Sequence, residues 1–244
     1  MRKFVSISGG ADSTALALLL WERGEDFELI FADTGAEFPE NYYIITRLQA
    51  TVQKPLHVVS GGGFYQWLVK KEYMLPGPRK RWCTRILKHE PIDHYLASSF
   101  GEDIEVCQGI RADEPRRIRG REIFRPRCKN LYNAYPLVEA GMTKKDVFEM
   151  CKKYDLLNPV YEWRSNVSCF CCFFQRKRDW LGLLHHYPEL YALAEQWEKQ
   201  AYLMGKKKGL QRVFGWNQSF TLEQLRLAEQ SMTDLFEVKE DVQV

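Results

Sequence analysis

The sequence predicts an α/β protein: a doubly wound, mostly parallel sheet followed by a smaller, mainly helical C-terminal part that carries a cysteine cluster. Three observations predict it. Short apolar runs alternate with helix-length amphipathic runs from Lys3 to Gly109, the pattern of strands joined by crossover helices. The glycine-rich string Ser8-Gly9-Gly10-Ala11-Asp12-Ser13-Thr14 separates the first such strand from the first helix. Beyond Arg111 the alternation stops, and helical periodicity and cysteines take over.

Lys3 to Ser8 reads as strand one, ended by Gly9-Gly10. Asp12 to Arg23 reads as a helix, with Leu16, Leu19 and Leu20 on one face and Gly24 closing it. Phe27 to Ala32 is a second strand. Pro39 to Gln53 is a second helix, and Pro39 suits a first turn whose N–H lacks an intrahelical partner. Leu56 to Val59 is a third strand, followed by Gly61-Gly62-Gly63. Phe64 to Lys71 is a short helix that Pro76-Gly77-Pro78 stops. Thr84 to Ser98 is a helix with Pro91 disturbing its middle. Ile104 to Gly109 is a fourth strand. Arg116 to Tyr135 reads as irregular and basic, of hairpin type. Helices follow over Thr143 to Tyr154, Pro188 to Leu203 and Thr221 to Glu229, with Asn158-Pro159-Val160-Tyr161 as an extended connector. The expected division is a nucleotide-binding α/β domain over 1–135 and the helical cysteine-containing part over 136–244.

Composition excludes several classes. Apolar runs nowhere approach the roughly 18 residues of a membrane span, and the run after Met1-Arg2-Lys3 is halted by Gly9, Gly10 and Asp12. A cytoplasmic protein without a membrane partner is expected. Seven cysteines, an odd number, argue against a disulfide framework and for metal or redox use. Net charge is only +3, but its distribution is uneven. Arg111 to Lys129 holds eight Lys/Arg against three acids, and Arg79-Lys80-Arg81 with Arg85 and Lys88 forms a second knot. These clusters point to an anionic ligand, a solvated arginine-rich hairpin being the ordinary alternative.

A strand-to-helix turn rich in glycine offers backbone amides and a helix N-terminus to phosphate oxygens. Ser8, Gly9, Gly10, Asp12, Ser13 and Thr14 are therefore the candidate phosphate-binding residues. No lysine follows the glycines, so this is not the loop whose Lys reaches β- and γ-phosphates, and the dinucleotide spacing is also missing. Asp33-Thr34 after strand two and Arg111 after strand four lie at the same carboxyl edge, where open α/β sheets bind ligands.

The string Ser8 to Ser13, directly after an N-terminal strand, resembles the PP-loop of the ATP pyrophosphatases, and the chain resembles the PAPS-reductase-like branch over most of residues 4–190. The motifs are Asp33-Thr34-Gly35-Ala36-Glu37-Phe38-Pro39-Glu40, Trp82-Cys83-Thr84-Arg85 with Lys88 and Pro91, and Gly109-Ile110-Arg111-Ala112-Asp113-Glu114 with Arg117. Tyr135-Pro136-Leu137, Asn158-Pro159-Val160-Tyr161 and Arg164 follow in order. The resemblance implies an adenine nucleotide α-hydrolase-like fold that binds ATP and Mg²⁺. It implies adenylation of a substrate with release of pyrophosphate, Asp12, Ser13, Lys88 and Arg111 serving the chemistry. Ser8, Gly9, Gly10, Asp12, Ser13, Thr14, Asp33, Thr34, Arg111, Glu114 and Arg117 would bind the nucleotide, and Asp12 would hold Mg²⁺.

Cys169-Phe170-Cys171-Cys172 contains a C-x-x-C pair, a spacing that lets two thiolates meet one metal, and Cys83 lies in a matched motif. Relatives with this layout often carry a [4Fe–4S] cluster, which implies Cys83, Cys169 and Cys172 as ligands, with Cys171 or Cys128 as a fourth. Zinc, or packing without metal, stays open, and Cys107 and Cys151 read as core thiols. The function expected is ATP-dependent sulfur transfer to a nucleic acid or nucleotide, with a sulfur-donor protein as further partner. Adenylyl-sulfate or phosphoadenylyl-sulfate reduction is second, because those reductases attack through a late cysteine and none follows Cys172 here. A non-catalytic nucleotide- and nucleic-acid-binding protein is third. A homo-oligomer is neither required nor excluded.

Overall fold

The computed structural model describes residues 1–118, 128, 130–210 and 215–241, with the backbone alone after residue 231. Its elements are β1 (Arg2–Ile7), α1 (Ala11–Glu22), β2 (Glu28–Asp33), α2 (Pro39–Val52), β3 (Leu56–Ser60), α3 (Phe64–Lys70) and α4 (Trp82–Thr84). A π-helical turn (Arg85–His89) then leads into α5 (Glu90–Ser99), followed by β4 (Ile104–Cys107), α6 (Pro115–Ile118), β5 (Leu131–Ala134) and α7 (Pro136–Glu139). Last come α8 (Lys144–Lys153), a 3-10 turn (Pro159–Glu162), α9 (Lys177–His186), α10 (Pro188–Lys207) and α11 (Leu222–Asp241).

The five strands form one parallel sheet in the order β3-β2-β1-β4-β5. The predicted doubly wound α/β class is what the chain adopts, with a helical C-terminal part. Register follows the side-chain alternation of a strand buried on both faces. Val5, Ile7, Leu29 and Phe31 point to one face, where they pack with Leu16 and Leu20 of α1, Leu48 of α2 and Val147 of α8. Phe4, Ile30 and Ala32 point to the other, against Ile92 and Leu96 of α5. Helix α1 is buried on nearly every side, from Ser13 to Leu20, which explains why its sequence is apolar all round rather than striped.

Three expectations change. The stretch read as irregular and of hairpin type ends in β5, which pairs in parallel with β4, Ile104 opposite Leu131. The rest of that stretch, residues 119–127 and 129, lies outside the described residues. Asn158 to Tyr161 is not an extended connector: the Asn158 side chain accepts the Val160 N–H and winds Pro159–Glu162 into a 3-10 turn. Pro91 does not end its helix: the Glu90 N–H donates to the Arg85 carbonyl, and the π-helical turn runs on through Pro91 into α5.

The chain divides into two compact units: Met1–Phe64 with Trp82–Cys169, and Tyr65–Arg81 with the chain from Phe170 on. Residues 135/136, the division expected from the sequence, fall inside the first. The second unit has its own core. Trp180, Leu183, Tyr191, Ala194 and Trp216 are buried there, and the Trp216 indole donates to the Ala194 carbonyl at 2.9 Å. Buried Glu198 accepts the backbone N–H groups of Trp216 (2.9 Å) and Leu222 (2.7 Å), which fastens the entry to α11. Among the described residues, no helix is long and apolar enough to cross a membrane.

Candidate functional site

The chain runs from β1 to β2 on one side of the sheet, while β4 lies on the other side of β1. The carboxyl ends of β1 and β4 therefore flank the point where strand order reverses, the place for a ligand in an open α/β sheet. The glycine loop follows β1 and the Gln108–Arg111 turn follows β4. They touch backbone to backbone: a Cβ on Gly109 would lie 3.0 Å from the Ser13 nitrogen and 3.1 Å from the Asp12 carbonyl carbon. Gly109 is thus fixed by close approach to the first turn of α1.

The loop is built from both ends. Gly9 has φ +74°, and a Cβ there would sit 2.7 Å from the Asn41 Cα. Gly10 caps α1 with no side chain of its own. The Ser13 hydroxyl donates to the Gly10 carbonyl (3.0 Å) and accepts the Ser8 N–H (3.1 Å), and the Ser8 hydroxyl lies 3.3 Å away. Asn158 donates one amide to both the Gly9 carbonyl and Asn41 Oδ1, each at 3.0 Å. The Ala11 N–H, first of the helix, is accepted by the Tyr161 hydroxyl at 3.1 Å. Burial pushes that phenol up to about 12, so it stays protonated. The Thr14 hydroxyl is fully buried and makes no hydrogen bond.

Arg111 Nη1 donates to both oxygens of Asp12 at 2.8 Å, while its Nε meets Asp113 at 2.9 Å. Glu114 lies 3.5 Å from Arg111 and accepts from Arg117 at 2.7 Å. Asp12, Arg111, Glu114 and Arg117, expected to act together, form one chain of ion pairs. Burial raises the Asp12 carboxyl above its ordinary value, and the Arg111 contact offsets this only in part. Arg111 would lose charge by burial, but Asp12, Asp113 and Glu114 hold it above its ordinary value.

A second cluster lies at the end of β2. Asp33 accepts the Gly35 N–H (2.9 Å) and the Tyr42 hydroxyl (2.8 Å). Buried Glu37 accepts from Thr34 (2.9 Å) and Asn41 (2.8 Å), and Lys88 lies 3.7 Å from it. The Cys169 sulfur is 3.5 Å from Glu37 and 3.6 Å from Thr34. The π-helical turn that carries Lys88 packs against Gly61, where a Cβ would strike the Ile86 carbonyl at 2.3 Å.

The cysteines fit a cluster less well. Cys107 and Cys151 are buried in the core of the first unit, and no cysteine forms a disulfide. Cys169 faces the oxygens of Glu37 and Thr34, and among the described residues no group of three or more His, Cys, Asp or Glu is placed to hold a metal. A single carboxylate plus substrate phosphates suffices for Mg²⁺, so Asp12 fits that ion, provided Arg111 yields one of its oxygens.

Sequence reading missed Tyr161, Asn158, Asn41 and Glu37 as parts of this edge. Glu37, Asn158 and Tyr161 lie in motifs visible in the sequence and Asn41 does not, but no local signal says that Tyr161 reaches Ala11 across 150 positions. Trp216 is core, and Trp163 packs edge-on against Phe38 at 5.7 Å.

The phosphoadenosine phosphosulfate reductase domain model matches residues 2–165. The chain belongs to that family, the PAPS-reductase-like branch of the PP-loop ATP pyrophosphatases. An uncharacterized protein of Methanocaldococcus jannaschii is 28% identical over 84% of this chain and 46% of its own length. An uncharacterized protein of Escherichia phage 186 is 23% identical over 80% of this chain and 74% of its own length. The chain spans about half the length of the first of these relatives. A crystal structure of phosphoadenylyl-sulfate reductase from Candida auris, in complex with phosphate, shares the fold with a TM-score of 0.53. It is 15% identical over 69% of this chain and 81% of that one.

Proposed function

We propose that the chain binds ATP on the Ser8–Thr14 loop and adenylates an acceptor with loss of pyrophosphate, in the service of sulfur transfer to a nucleic acid or nucleotide. The observation that carries this reading is the convergence of the glycine loop, Asp12 and Arg111 at the strand-order reversal. An acceptor oxygen would attack the α-phosphorus, the bond to the β-phosphate oxygen would break, and pyrophosphate would leave. A sulfur nucleophile would then displace AMP from the acceptor carbon. The chain's part is positioning and charge neutralisation. Arg111 would exchange Asp12 for a phosphate oxygen, freeing a carboxylate oxygen for Mg²⁺. Lys88 would meet charge from the β2 side, and Asp33 and Thr34 would contact the adenosine. Glu114 and Arg117 would steady Arg111.

The test is release of pyrophosphate and AMP from ATP with candidate acceptors. Asp12→Ala and Arg111→Ala are each expected to lower the rate by about 100-fold or more while keeping the fold. Undiminished activity in both variants refutes the site. The iron–sulfur cluster on Cys83, Cys169 and Cys172 rests on spacing and family resemblance, and no step is routed through it. Iron content and visible absorbance of anaerobically purified protein test it, and colourless, iron-free protein overturns it. Reduction of an adenylyl sulfate is the second reading, favoured by the matched family model. Sulfite released from such a substrate with a thiol reductant would establish it.

A further inference from the structure

The second unit carries a surface that the nucleotide chemistry leaves unused. We propose that the Tyr65–Arg81 segment and the residues around Phe174 form a platform for single-stranded nucleic acid. The proposal rests on the preceding reading only in identifying that strand with the acceptor; binding itself needs no turnover.

Rings and cations interleave on this unit. Phe174 is 59% exposed and Tyr65 51%, although both are large apolar side chains that gain from burial. Phe173 lies 4.3 Å from Phe174, and the Arg81 guanidinium stands over the Phe174 ring at 5.4 Å. Lys70 and Lys71 stand over Trp67 at 4.8 and 5.5 Å. Tyr65, half-exposed, stacks on Trp197 at 5.9 Å. Residues 65–81 hold Lys70, Lys71, Arg79, Lys80 and Arg81 against one acid, Glu72, which Lys208 engages. Arg176, Lys177 and Arg178 follow Phe174 after a single residue, Gln175. The turn at Pro76-Gly77-Pro78 is closed by Gly77 pairing with Lys80, and it projects Arg79, Lys80 and Arg81 into solvent. Arg81 on Phe174 and Lys208 on Glu72 tie the segment to the rest of the unit.

Exposed rings beside cations match a ligand that alternates flat faces with anions. Unstacked bases on a phosphate backbone have that form, and each stacked base contributes about 1–3 kcal/mol. A duplex hides its base faces and would use only the charge. An acidic peptide has no flat faces to offer.

The test is fluorescence anisotropy of the full chain with labelled single-stranded DNA and single-stranded RNA, a duplex of the same sequence, and phosphatidylserine vesicles. A single strand, DNA or RNA, is expected to bind about 10-fold or more tighter than the duplex, more weakly as salt rises. Phe174→Ala and Arg81→Ala, both at exposed positions, are each expected to weaken it about 5-fold or more. Asp12→Ala should bind the strand as the unsubstituted protein does, because it alters only the nucleotide loop. Equal affinity for the duplex, stronger binding to the vesicles, or unchanged affinity in both Phe174→Ala and Arg81→Ala overturns the platform. Pyrophosphate release without strand binding would likewise sink the platform while leaving the adenylation reading intact. Strand binding with no pyrophosphate release would do the reverse.

Discussion

Gly9 and Tyr161 show how single residues shape the loop. Gly9 at φ +74° has its neighbour Asn41 so close that a methyl group cannot fit. Gly9→Ala is expected to cost about 1–3 kcal/mol from the backbone conformation alone, with the clash added, seen as a lowered denaturant midpoint. A midpoint equal to that of the unsubstituted protein would mean that the loop is not held in this conformation. Tyr161→Phe removes the acceptor of the Ala11 N–H, an amide of a buried residue at the start of α1. It should destabilise by about 1–3 kcal/mol, whereas Phe148→Leu, on a ring packed against Tyr161 at 4.8 Å, tests packing without touching the hydroxyl. The place of Asp12 and Ser13 in the loop was legible because they sit within the glycine string itself. That of Tyr161 was not, because a hydroxyl that completes a helix terminus from a distant turn leaves no pattern in neighbouring residues.

Helices α10 and α11 are joined by charge. Arg226 on α11 donates to both oxygens of Glu195 on α10, at 2.8 and 3.1 Å, and Lys199 meets Glu195 at 2.8 Å. The Arg226 hydrogen bond leads in holding the Glu195 carboxyl below its ordinary 4.5, against the opposing effect of burial. A carboxylate with a lowered folded value adds stability that is complete above 4.5 and is lost as pH falls through that folded value. Glu198, raised mainly by burial, acts in the opposite sense: its ionisation costs stability as pH rises above 4.5. Arg226→Ala should therefore lower stability by about 1–3 kcal/mol at neutral pH. The gap to the unsubstituted protein should close as pH falls below 4.5. A gap independent of pH between neutral and pH 3, by denaturant titration, would show that the pair carries no such stability. Thr143 and Asp146 form a capping box at α8, and Thr143→Ala should cost about 0.5–2 kcal/mol in the same assay. This cap was readable locally; the π-helical turn before α5, whose Ile86 carbonyl lies against Gly61 from a distant part of the chain, was not.

The whole molecule joins a sheet unit, with a ligand edge, to a helical unit with a separate core. A ligand that binds the folded sheet unit alone should stabilise it by mass action, about 2.7 kcal/mol at 100 times its dissociation constant. ATP with Mg²⁺ should therefore raise the midpoint of thermal unfolding, and Asp12→Ala should abolish the rise. A rise of equal size in that variant would place nucleotide binding elsewhere.

The sequence by itself determined the parallel α/β class, the position of the glycine loop and the motif residues at the strand ends. These are local properties: apolar alternation, a glycine where the backbone needs it, and a charged residue following a strand. Tertiary structure decided that β5 joins in parallel beside β4, that Tyr65–Arg81 belongs with the helices after Phe170, and that Arg111 closes on Asp12. Such pairings depend on which distant surfaces bury one another and on which charge finds its partner first within reach. Hydrophobic periodicity reports that a face must be covered, not what covers it.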